Sequence, residues 1–184
     1  MADDLHGFIT GPLWLRLKED VRNMRVFSRQ DLNCAAYFHI RRAVRIRPGW
    51  SCRARLPLAN EHRPPLPDPD LALFSNEKLL ALFQLEFHLT PDISGGFPTE
   101  AMRERMAFLR RVVEDAGQPR PARSGKAGRG YLVTVYDAEE EWFYADQTVQ
   151  ERQRCFWLPI NCHDFADYAD WRQRWERLAL LPER

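Results

Sequence analysis

The sequence predicts a mixed α/β domain, with a central sheet of parallel and antiparallel strands flanked by helices. Three observations predict it. Segments with apolar residues at helical spacing alternate along the chain with short runs of β-type pattern. Breaks rich in Pro or Gly separate them at 48–49, 57–69, 91–98 and 117–130. One run, 131–136, carries few polar residues, as a strand covered on both faces does.

The elements follow in order. After Gly11-Pro12, Leu13, Leu17, Val21 and Met24 recur at helical spacing and predict a helix over 13–24. Ser28 reads as an N-cap, with Asp31 three residues on as an approximate capping box. That second helix runs to about Arg42 and buries Leu32, Ala36 and Phe38 or His39. Trp50, Cys52, Ala54, Leu56 and Leu58 alternate with Arg53 and Arg55, which predicts a half-buried strand. Five prolines between 57 and 69 exclude regular structure there. Two strands, 70–74 and 79–89, form a hairpin around 75–78. Thr99 caps a third helix to about Ala116, with Met102, Met106, Leu109 and Val113 inward. Tyr131–Tyr136 reads as a central strand, and Phe143 and 156–160 as weaker ones. Asp164 caps a last helix with Tyr168, Trp171, Trp175 and Leu178 on one stripe. The order is α-α-β-β-β-α-β-β-α, and the whole of 1–184 reads as one domain.

The chain has 184 residues, 45% hydrophobic and 29% charged. That is enough for a sizeable core and excludes a wholly disordered chain. The longest apolar run, 79–83, stops at Gln84, far short of the roughly 20 residues of a membrane span. Met1-Ala2-Asp3-Asp4 lacks the basic and apolar regions of a secretory leader, so the expected location is cytoplasmic. Cys34, Cys52, Cys155 and Cys162 show no C-x2-C pair and read as reduced, structural thiols, Cys34 on the core side of its helix.

Charge is uneven beneath a net +1. Residues 41–55 carry six arginines and no acid, 56–100 are acidic, 101–130 are basic, and 131–151 hold six acids and no base. Such blocks place a basic face beside an acidic pocket, or they are ordinary solvated surface. The segments 41–55 and 120–129 are the candidates for gripping a nucleic-acid backbone. The acids at 137 and 139–141 read as a solvated turn, and the tryptophans as core.

The second strand of the hairpin bears the candidate site. Alternation puts Phe83, Leu85 and Phe87 on one face and Gln84, Glu86 and His88 on the other. Such a polar face looks either at solvent or at a site. A three-residue reversal, 76–78, sets Asp70 opposite Gln84 and makes Asp70 and Glu86 diagonal neighbours. Two carboxylates so placed can chelate one divalent cation, which polarises a phosphate and acidifies a bound water. A four-residue reversal turns Asp70 to the Phe83 face and dissolves the site.

Pro69-Asp70-Leu71-Ala72-Leu73-Phe74, a short turn, and then Leu79 to His88 resemble the PD-(D/E)XK nuclease superfamily. There an aspartate opens one strand of a hairpin and acid-x-lysine ends the next. The expected restriction-endonuclease-like α-β-β-β-α-β core covers roughly 28–137, the sequence motif only 69–88. The resemblance implies a metal-dependent phosphodiester hydrolase acting on nucleic acid. Asp70 and Glu86 would hold Mg2+ or Mn2+, His88 would orient the attacking water, and Gln84 would hydrogen-bond a ligand. His88 stands in the lysine position and supplies no fixed positive charge at neutral pH. The alternatives are a catalytically impaired binding module on the same scaffold and a non-enzymatic α+β interaction protein. The additional acid the family often takes from the preceding helix has two candidates, Glu19 and Asp31.

Overall fold

The computed structural model describes residues 2–54, 69–76, 78–89, 99–117, 128–139 and 146–179. The elements are α1 (Ala2–Phe8), a π-turn (Ile9–Leu13), α2 (Trp14–Arg22), α3 (Arg29–Val44), β1 (Trp50–Ala54), β2 (Leu71–Ser75), β3 (Lys78–Phe87), α4 (Thr99–Gly117), β4 (Arg129–Tyr136), α5 (Gln147–Gln153), β5 (Cys155–Asn161), a 3-10 turn (Cys162–Asp164) and α6 (Tyr168–Ala179). The five strands form one sheet in chain order, antiparallel across β1–β2–β3 and parallel across β3–β4–β5. It is a mixed α/β fold with helices on both faces, as the patterning predicts.

Two cores lie on the two sides of the sheet. The first-face residues Leu71, Leu73, Phe83, Leu85, Val133 and Ile160 pack under helices α1 to α3 and α6. Ala72, Leu82, Leu132 and Cys155 pack under α4 through Met102, Met106, Leu109 and Val113, the stripe expected from spacing. Gly130 fits here because it has no side chain: a Cβ would stand 3.2 Å from Cys155 Sγ and 3.3 Å from Leu109 Cβ and Val113 Cγ2.

Several expectations are corrected. The first helical stretch begins at Ala2 and runs through Gly11-Pro12. A wide π-turn absorbs the proline, and Trp14 N–H reaches back to Ile9 and Gly11. On α3 the buried residues are Leu32, Ala36, Ile40 and Val44, which is a strict i, i+4 row. Phe38 is therefore 60% exposed and Cys34 lies outside the core. The other three cysteines are buried free thiols, and burial pushes Cys155 up to about 12 and Cys52 to about 11. An unanticipated short helix, α5, lies between β4 and β5, whose parallel pairing requires a crossover. The last helix starts at Tyr168, not beside Asp164, which belongs to the 3-10 turn, and Leu178 is exposed while Trp171 and Trp175 are buried. The Asp137 carboxylate is not solvated: the side chain is 3% exposed and anchors α6 through Arg172 at 2.6 Å and the Tyr168 hydroxyl at 2.9 Å. The strand at Phe143, most of the proline loop and most of the 120–129 segment lie outside the described residues.

Candidate functional site

The site depends on the register of β2 against β3. Ser75 pairs with Lys78, so the reversal is two residues long, not three, and opens on Asn76 with φ at 46°. A regular ladder from that turn would set Asp70 opposite Phe83. Instead the pairing shifts between Leu73 and Phe74, leaving Leu80 as the extra residue of a bulge, and Leu71 meets Phe83. One step further Asp70 lies beside Gln84, with its N–H donating to the Phe83 carbonyl at 3.0 Å. The expected juxtaposition of Asp70, Gln84 and Glu86 is thus present, reached by an even turn plus a bulge. Gln84 and Glu86 alternate in phase with Leu82, and Glu86 meets Arg105 of α4, whereas Asp70 meets Arg29 and Asn33 of α3.

β3 outruns β2. From Gln84 onward it has β4 on one side and, among the described residues, no strand on the other. Side chains complete this open edge: Asp70 Oδ2 accepts Leu85 N–H at 2.8 Å, and Arg29 Nε donates to the Leu85 carbonyl at 2.8 Å. Arg29 comes from the first turn of α3, where Ser28 caps the helix through Asp31 N–H. Asp31 Oδ2 accepts from Phe27 N–H and the Ser28 hydroxyl at 3.0 Å, so Asp31 is a capping residue. Glu19 is exposed on α2.

The two carboxylates meet arginines. Arg29 Nη2 stands 3.2 Å from both oxygens of Asp70 and 3.8 Å from Glu86 Oε1. Arg105, from α4, donates its Nε to Glu86 Oε1 at 2.9 Å. Glu86 is 9% exposed, and burying a carboxylate there requires such compensation. Asn33 and Gln84 also turn their amide nitrogens to the acids, at 3.5 Å from Asp70 Oδ1 and 3.4 Å from Glu86 Oε1. Their carbonyl oxygens therefore point away, and among the described residues both lack a hydrogen-bond partner, as does His88 Nε2. Burial, followed by the nearby guanidinium groups of Arg29 and Arg105, lowers the His88 pKa below 6.5 against the pull of Glu86, so its imidazole is neutral at pH 7.

These residues do not fit a divalent cation in this arrangement. Two acids are already balanced by two guanidinium groups, and the free amide oxygens diverge from the carboxylates. Among the described residues, no three His, Cys, Asp or Glu side chains converge. Charge here is held in internal ion pairs.

Sequence patterning singled out Asp70, Gln84, Glu86 and His88, and the fold brings the first three together with His88 next along the same strand. It missed Arg29, Arg105 and Asn33. Arg29 had one signal: a cation in the first turn of a helix opposes the helix dipole and so calls for an acidic partner. The expected basic neighbour is elsewhere. Arg41, Arg42 and Arg45 are exposed on the last turns of α3, and Arg53 is exposed on β1 with its guanidinium 4.9 Å from the Phe74 ring centre. At about 1.5 Å per residue, Arg45 lies roughly 24 Å along the helix from Arg29.

No family model, no curated protein and no solved structure matches the chain. No described helix is long and apolar enough to cross a membrane.

Proposed function

We propose that the chain is a nucleic-acid-binding domain on a PD-(D/E)XK-like scaffold, one that holds a phosphate backbone without cutting it. The observation that carries this reading is the pairing of Asp70 and Glu86 with Arg29 and Arg105. Carboxylates so neutralised do not present a charged pair to a metal ion. The element order α3-β1-β2-β3-α4-β4 supports the scaffold, since it is the order the motif implies. Neutral His88 supports the absence of hydrolysis, because the fixed positive charge of a lysine is missing from that position.

The binding surface in this reading is the solvent-facing end of α3 and β1. Arg41, Arg42, Arg45 and Arg53 present guanidinium groups there, and residues 41–54 hold no acid. Guanidinium groups form paired hydrogen bonds to phosphate oxygens.

The test combines affinity and cleavage. Fluorescence anisotropy with labelled DNA and RNA is expected to show binding that weakens as salt rises, with a log–log slope near −0.9 per phosphate contact on duplex. Arg42→Gln with Arg45→Gln should reduce that slope by about 2. Plasmid DNA incubated with the protein and Mn2+ should stay intact. Mn2+-dependent cleavage that Asp70→Ala and Glu86→Ala abolish would establish the hydrolase instead. Absence of nucleic-acid affinity at low salt would leave a protein-interaction role.

A further inference from the structure

The guanidinium of Arg29 serves an edge and a charge at once. Leu85 lies where β3 has no β2 neighbour, and its peptide would otherwise lack partners on that side. Arg29 Nε takes its carbonyl and Asp70 Oδ2 takes its N–H, each at 2.8 Å. The same guanidinium, through Nη2, lies against Asp70 at 3.2 Å and Glu86 at 3.8 Å. Its place at the start of α3 is unfavourable for the helix, whose dipole repels a cation there. What holds it is the pair of acids.

We propose that Arg29 is the resident cation of this site: it neutralises Asp70 and Glu86 in place of a divalent ion and masks a cation site that its removal exposes. This goes beyond the nucleic-acid role and stands without it. Arg29 keeps 43% of its side chain in contact with solvent, so its loss opens the space between the acids to water and ions. Asp70 and Glu86 would then offer a hard cation oxygen ligands beside solvent, the ligand type such ions take. Arg105 holds Glu86 from α4 but makes no ion pair with Asp70, whose other partners, Leu85 N–H and the Asn33 amide, carry no charge.

Manganese uptake tests this through loss of the free-ion EPR signal, in wild type, Arg29→Met and Arg29→Gln, with folding checked by far-UV circular dichroism. Glutamine keeps an amide donor for the Leu85 carbonyl and removes the charge. The expected result is at least tenfold tighter Mn2+ binding by the variants than by wild type. Adding Asp70→Asn to Arg29→Gln should abolish it, and Arg29→Lys, which keeps the charge, should stay closed to the ion. Where a variant is marginally stable, Mn2+ should raise its melting temperature by mass action. Wild type that binds Mn2+ as tightly as the variants overturns the proposal, and so do variants whose EPR signal and melting both ignore the ion. A nucleic-acid-binding failure would leave this result untouched, so the two readings are separable.

Discussion

His88 ends the polar face of β3 as a neutral imidazole, and this has a pH consequence. Its folded-state pKa lies below 6.5, its ordinary value, chiefly through burial. Between those two values the unfolded chain binds more protons than the folded one, so stability falls as pH drops through that window. Melting temperature should therefore decline below about pH 6.5, and His88→Gln should flatten the decline. An unchanged slope in the variant would show that His88 does not titrate against the fold. Asp70 and Glu86 were legible in the sequence because strand alternation is a local property. Arg29 and Arg105 were not, because their contacts join α3 and α4 to β3 across long stretches of chain. No periodicity encodes which surface arginine meets which acid. Asp137 misled for the same reason, since its burial is set by Arg172, 35 residues away.

At the scale of elements, the site is held by a helix cap, a bulge and a packed glycine. Ser28 fixes the first turn of α3 and with it Arg29, so Ser28→Ala should cost about 1 kcal/mol in urea unfolding. If the cap aims Arg29, the same change should also weaken the edge contact at Leu85, read as faster amide exchange there. Gly130→Ala should cost about 1–3 kcal/mol, since a methyl would press on Leu109 and Val113 of α4 and on Cys155. A loss near zero would mean α4 shifts freely on the sheet, against its tight seating. The described strands, the order from α3 to β4 and the α4 stripe were readable from 2- and 3.6-residue periodicity, whereas α1 and α5 were not. The bulge at Leu80 was not, because Leu79-Leu80-Ala81 is apolar throughout and carries no parity. The π-turn was hidden too: Gly11-Pro12 reads as a stop, and only the packing of Ile9 and Leu13 carries the helix past it.

The molecule as a whole separates two charge arrangements along α3. One end braces a neutralised acidic pair against the end of β3, and the other presents exposed arginines with no ion-pair partner among the described residues. The composition blocks implied both charges but not their separation, since helix length rather than sequence distance sets the gap. Binding and cleavage assays probe the consequences, whereas the state of the two guanidinium groups is the claim itself. Nitrogen-15 NMR of the arginine Nε–H groups measures it, with assignments from Arg29→Lys and Arg105→Lys. Both signals should be sharp and slow to exchange, and millimolar Mg2+ should leave them in place. Signals of Arg29 and Arg105 that exchange as fast as those of exposed arginines, or that shift on adding Mg2+, would contradict it.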